Sequence, residues 1–235
     1  MNKHLTRIIK NTDEITRKEK TSLNTLVNNS VTVLGKIASN LELSHEFYGE
    51  KFYKFMLNVE RLSDSSDTIP ITISERLIAS KDLKIDTLIK IVGQFRSYNN
   101  IEGENSKLLL TVFTKEFELL DENSKSYNPN QIFLDGFLCK NPIYRVTPFG
   151  REISDLIIAV NRQYNRSDYI PCIAWGRNAR YVNGLSVGDR IAVQGRIQSR
   201  EYQKTSEDGS QMTKTAYEVS ISRVTSVVSE VKQAN

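Results

Sequence analysis

Residues 168–181 read DYIPCIAWGRNARY, and this run holds the chain's single tryptophan, Trp175, together with Tyr169 and two arginines. Broad aromatic rings next to guanidinium groups can stack on flat π systems while the cations meet an anion. Taken with period two, the run divides into a row of Tyr169, Pro171, Ile173 and Trp175 and a row of Ile170, Cys172 and Ala174. The second row is small and apolar, as a core requires. The first runs into Gly176 and Arg177, and at this point both a bulky core strand and an exposed platform fit it.

A second stretch, GRIQSREY, sorts in the same way. One face carries Arg196, Gln198, Arg200 and Tyr202, and the other carries Gly195, Ile197 and Ser199. A charged, hydrogen-bonding row that ends in an aromatic suits a track for phosphates, and it also suits an ordinary solvated strand face. Other chemistries find little support. His4 and His45 stand apart, and Cys139 and Cys172 each sit alone in an apolar, strand-like run, so packed thiols are expected rather than a disulfide or a zinc site. No set of carboxylates and arginines marks a catalytic constellation, so neither an enzyme nor a cofactor or metal is expected.

These residues must be positioned by strands. QIFLDGFL, DLIIAVNRQY, DYIPCIAW, DRIAVQGRIQSREY and TAYEVSISRV are rich in β-branched residues and bounded by Asn, Pro, Gly or Asp. A short helix fits within GRNARYVNGLSVGD, between the third and fourth. Five strands with a helix after the third is the order of an OB-fold barrel. Shifted by 101 positions, the chain matches itself for about forty residues. Gly35 meets Gly136, Asn40 meets Asn141, Val59 meets Val160, Arg61 meets Arg162, and DTIP at 67–70 meets DYIP at 168–171. One inserted residue later, IVGQ at 91–94 meets VQGR at 193–196. The first copy supplies SVTVLGKI, KFYKFMLNVERL, TIPITISERL, a helix at SKDLKI, LIKIVGQFRSY and KLLLTVFTKEFELL. The expected fold is therefore all-β: two tandem five-stranded OB-fold barrels, each with a short helix after strand 3, plus an N-terminal arm.

The expected boundaries are an arm over 1–30, a degenerate barrel over 31–121, a linker over 122–130, a second barrel over 131–228 and a short tail over 229–235. Leu5, Ile8, Ile9 and later Leu23, Leu26 and Val27 have helical spacing, which makes the arm a candidate helix. Net charge is +3 over residues 1–30, −3 over 31–130 and +4 over 131–228, which places polyanion contact mainly in the second barrel. No run approaches the ~18 apolar residues of a membrane span and no signal peptide is evident, so a cytoplasmic protein is expected.

In their order and spacing, GREISDLIIAVNR, DYIPCIAWGRNARYV and GDRIAVQGRIQSREY resemble the bacterial single-stranded DNA-binding protein family, and NPIYRVTPFG is similar to that family's first loop. The resemblance covers about 131–228 directly and reaches 31–120 only through the repeat. It implies an OB fold, no catalysis, and single strands held by base stacking and basic residues. The implied stacking rings are Tyr164, Tyr169, Trp175 and Tyr202, with Arg166 and Arg177 joining Arg196, Gln198 and Arg200 on the backbone path. In the first copy Ser63, Thr68 and Ser74 stand where the second has Tyr164, Tyr169 and Trp175, so pairing or scaffolding is expected of that barrel. The segment VVSEVKQAN lacks the acidic, hydrophobic-tipped tail through which the family recruits partners. The family commonly joins four OB folds, which a tandem chain would reach as a dimer. The leading function is sequence-tolerant single-stranded DNA binding in replication, recombination or repair. The alternative is an accessory primosome-type protein acting mainly through protein contacts.

Overall fold

The computed structural model describes residues 28–79, 83–102, 105–121, 124, 128–205 and 210–226. The expected arm helix and the short tail lie outside these residues, as does most of the expected linker. Asn29 and Ser30, which the sequence reading placed in the arm, already belong to the first strand.

The first barrel runs β1 (Asn29–Ile37), β2 (Glu42–Phe47), β3 (Glu50–Glu60), β4 (Ser66–Ser74), α1 (Glu75–Ile78), β5 (Leu88–Glu102) and β6 (Asn105–Leu119). The second repeats this order with β7 (Asn130–Leu138), β8 (Ile143–Val146), β9 (Glu152–Arg162), β10 (Arg166–Trp175), α2 (Arg177–Asn183), β11 (Arg190–Thr205) and β12 (Gln211–Ser226). Each copy closes on itself in the same way. β1 pairs with both β3 and β5, and β4 meets β6 in parallel; β7 pairs with both β9 and β11, and β10 meets β12 in parallel.

Alternation dictates the packing. On β1, Val31, Val33 and Ile37 point into the barrel and are fully buried, and Ile132, Leu134 and Leu138 do the same on β7. Closure requires the first strand of each barrel to bend between two partners. Gly35 and Gly136 sit at that bend, where an added Cβ would collide with the carbonyl oxygens of Asn58 and Ala159. This close approach explains why the repeat keeps a glycine there.

Two elements differ from expectation. β2 and β8 are additional short strands, mostly exposed, each forming a ribbon with the following strand. A ribbon with no buried face carries no two-residue alternation to reveal it. The helix of the first copy was expected at SKDLKI, residues 80–85. It forms instead at Glu75–Ile78, where Ser74 caps it by accepting the Arg76 N–H at 3.1 Å. Residues 83–85 are outside any helix, with a turn beginning at Ile85.

The two barrels form one sheet of twelve strands. β1 and β7 lie side by side, antiparallel, with Val31 opposite Ile132. The first strand of each barrel thus covers the other's open edge. No helix among the described residues is long and apolar enough to cross a membrane.

Candidate nucleic-acid interface

On β10 the inward row holds Ile170, Cys172 and Ala174, all buried. The opposite row exposes Tyr169 at 47% and Trp175 at 37%, with Pro171 half-buried and Ile173 buried between them. Trp175 is oriented by its indole Nε1, which lies 3.2 Å from Ser220 Oγ on β12. Tyr164, expected at a strand end, stands in the turn between β9 and β10 and is 91% exposed. It and Asn165 both adopt positive φ, 62° and 54°, which turns the chain sharply and lifts the phenol ring away from the sheet.

Arg166 opens β10 immediately after this turn and is exposed, and Arg177 opens α2 next to Trp175. On β11, Tyr202 is 39% exposed with the Arg200 guanidinium 6.0 Å from its ring centre. Arg200 has only a loose ion pair, 3.9 Å to Glu218. The four aromatics and these three arginines therefore lie along the β9–β10 turn, β10, the start of α2 and the outer half of β11.

Arg196 and Gln198 are placed otherwise. The Arg196 guanidinium donates to Asp67 Oδ2 at 2.9 Å and to Gln198 Oε1 at 3.1 Å. Gln198 is buried and donates to Glu218 Oε1 at 2.7 Å. Asp67 belongs to the first barrel, so the inner half of the expected phosphate row forms part of the contact between barrels.

That contact has internal two-fold symmetry. Asp67 on β4 accepts the Ser199 N–H of β11 at 2.8 Å, and Asp168 on β10 accepts the Ser97 N–H of β5 at 2.7 Å. The Ser199 and Ser97 hydroxyl oxygens in turn accept the Thr68 and Tyr169 N–H groups at 3.3 and 2.8 Å. Within each barrel, Asn29 exchanges two hydrogen bonds with Phe95, and Asn130 does so with Ile197.

The two buried carboxylates are not equivalent. Burial opposes ionisation of Asp67, but the paired hydrogen bonds from Arg61, the Ser199 N–H and the charges of Arg61 and Arg196 outweigh it, so its pKa falls below the ordinary value. For Asp168 burial prevails over the Ser97 N–H and the charges of Arg162 and Arg96, and its pKa rises. Its nearest cation is Arg162 Nε at 3.2 Å, and the pair lacks hydrogen-bond geometry. The sequence reading found these residues only as repeat matches. That Arg61/Arg162 and Asp67/Asp168 recur together in both copies was the available signal.

In the first barrel the corresponding face carries Thr68 and Ser74 in place of Tyr169 and Trp175. Ser74 there serves the helix cap and hydrogen-bonds Glu50. Among the described residues there is no group of three or more His, Cys, Asp or Glu able to hold a metal ion.

The architecture is a pair of OB-fold barrels, one of which exposes an aromatic, arginine-flanked face. Residues 129–227 match the model of the single-strand binding protein family. Single-stranded DNA-binding protein 1 of Staphylococcus aureus (strain COL) is 40% identical over 81 residues, 32% of this chain and 48% of that protein. The chain thus spans about half the length of the curated relatives it matches. The structure of the wild-type single-stranded DNA binding protein from Thermus aquaticus superposes with a TM-score of 0.71 at 19% identity, covering 88% of this chain and 96% of that one. A structure of the N-terminal domain of PriB protein from Thermoanaerobacter tencongensis is 49% identical, covering 40% of this chain and 99% of that one, with a TM-score of 0.37. The similarity to the single-strand binding protein family is thus carried by the second barrel. The Thermus likeness extends the shared fold to both barrels.

Proposed function

We propose that the protein is a non-catalytic, sequence-tolerant binder of single-stranded DNA, serving replication, recombination or repair. The exposure of Trp175 and Tyr169 on a strand whose other face is core carries this reading. Bases stack on Tyr164, Tyr169, Trp175 and Tyr202, and Arg166, Arg177 and Arg200 neutralise phosphates alongside. Arg196 is assigned to barrel pairing, with Gln198 bracing it. The first barrel, without the rings and with opposite net charge, acts as the partner that closes the second barrel's edge.

The chain further assembles as a dimer of four barrels. The outer face of the shared sheet supports this reading, because it presents Ser30, Thr32, Gln131, Phe133 and Gln194 around a shallow depression rather than a charged surface. Titration with oligothymidine tests the function directly. Trp175 is the sole indole, so its fluorescence should quench in proportion to occupancy, and a folded protein whose emission and anisotropy ignore the oligonucleotide would refute the proposal.

A further inference from the structure

The first barrel carries no rings at the matching positions, but the same face sets apolar side chains beside polar ones such as His45, Lys54 and Asn99. A groove of about 790 Å³ lies over β4 at Pro70 and Thr72, the positions that match Pro171 and Ile173 of the second barrel. Leu108, Leu109 and Leu110 of β6, Tyr98 of β5 and Tyr217 of β12 are among the residues that line it. Leu108 and Leu109 are both exposed.

Strand register identifies what changed between the copies. Ile71 pairs with Val112 as Cys172 pairs with Val219, so Leu108, Leu109 and Leu110 occupy the places of Thr215, Ala216 and Tyr217. The first copy therefore carries Thr and Ser on β4 where the second has aromatic rings on β10, and three leucines on the adjoining strand where the second has Thr, Ala and Tyr. Leucine offers nothing for a base to stack on, but it provides burial for aliphatic side chains.

We infer that this groove is the docking site of the chain's own N-terminal segment, residues 1–27. Three observations select that occupant. The segment carries Leu5, Ile8, Ile9, Leu23, Leu26 and Val27, an aliphatic set matching the groove's chemistry. Its net charge of +3 complements the −3 of residues 31–130. It also joins the fold close by: Asn28 is held between the barrels, its side chain donating to Asn161 O at 2.5 Å and its carbonyl accepting the Asp135 N–H at 2.8 Å. The next residue, Arg162, places its guanidinium 5.6 Å from the ring of Tyr98 on the groove wall. Twenty-seven residues departing from that point span the groove many times over at ~3.3 Å per extended residue. Seated there, the segment removes the exposed leucines from water and keeps its lysines and arginines along the rim.

Limited trypsin digestion of the full chain tests this, following loss of the segment by cleavage after Lys10, Arg17, Lys18 or Lys20. Where opening is fast relative to cutting, the rate tracks the undocked population. Leu109→Asp, at an exposed position outside the proposed DNA face, should speed release about tenfold or more, with unchanged circular dichroism and oligothymidine binding. Ile8→Asp, in the segment itself, should do the same. The double variant should be no faster than either single one, because both break one contact. Equal rates in all four proteins would overturn the inference, as would additive effects. Protection that vanishes on dilution would assign the groove to a second copy instead. Protection that appears only with oligothymidine, equally in the Leu109→Asp variant, would assign the segment to nucleic acid.

Discussion

Arg196 Nη1 lies 2.9 Å from Asp67 Oδ2, joining β11 of the second barrel to a fully buried carboxylate of the first. This guanidinium takes part in the pairing of the barrels. Arg196→Gln leaves Asp67 with Arg61 and the Ser199 N–H, and should cost about 1–3 kcal/mol in urea unfolding. Asp67→Asn strands two arginines and should cost more, about 3–5 kcal/mol. A destabilisation confined to Arg61→Gln, with Arg196→Gln neutral, would contradict this partition.

Salt dependence separates the arginines further. Each phosphate neutralised on a single strand contributes about −0.7 to the slope of log affinity against log salt. Arg200→Gln should flatten the slope by about 0.7, while Arg196→Gln should leave it unchanged. An equal loss of slope in both would return Arg196 to the DNA path.

Stacking is tested by Trp175→Ala. The expected loss is about 1–3 kcal/mol of binding free energy to oligothymidine, with circular dichroism unchanged. The Ser220 contact gives a control: Ser220→Ala removes the indole's orienting partner and should weaken binding by less than removal of the ring. Unaltered affinity in folded Trp175→Ala would make the ring a packing residue.

The two buried aspartates should titrate with opposite effect on stability. Asp168 has a raised folded pKa, so the folded state holds its proton longer, and stability falls as pH rises from 3.8, the ordinary value, through the folded pKa. Asp67 has a lowered pKa, so its contribution is present above 3.8 and is lost as pH drops through the folded value. Urea unfolding across this range should show Asp168→Asn abolishing the decline on the alkaline side and Asp67→Asn abolishing the loss on the acid side. Parallel shifts in the two variants would refute the asymmetry.

Thiol reactivity should distinguish the cysteines. Burial pushes the Cys172 thiol far above its usual range, whereas Cys139 is only partly buried. Native protein should therefore release one equivalent with Ellman's reagent, and the second only in denaturant. Rapid reaction of both would show that β10 opens in the native state.

Local patterning was enough to specify the barrels. Period-two alternation on β1, β7 and β10 reports burial on one face, and the repeated Gly35 and Gly136 report a close backbone approach, so strands and duplication were legible residue by residue. Strand phase set Tyr169 and Trp175 on the row opposite the core but left their exposure open, since Ile173 of the same row is buried, and Tyr164 entered only through the resemblance. The exposed ribbons β2 and β8 were not legible, since a strand without a buried face leaves no periodic trace. The first copy's helix stands at Glu75–Ile78, where Ser74 accepts the Arg76 N–H, a cap that the reading of SKDLKI did not weigh. The fate of Arg196 was the furthest from reach. Phase placed it on the same face as Arg200, and both statements are true of an isolated strand, but its partner Asp67 lies 129 positions away. Only the antiparallel docking of β1 on β7 brings that carboxylate across the seam, and low-dielectric burial there makes the pairing outweigh exposure to solvent.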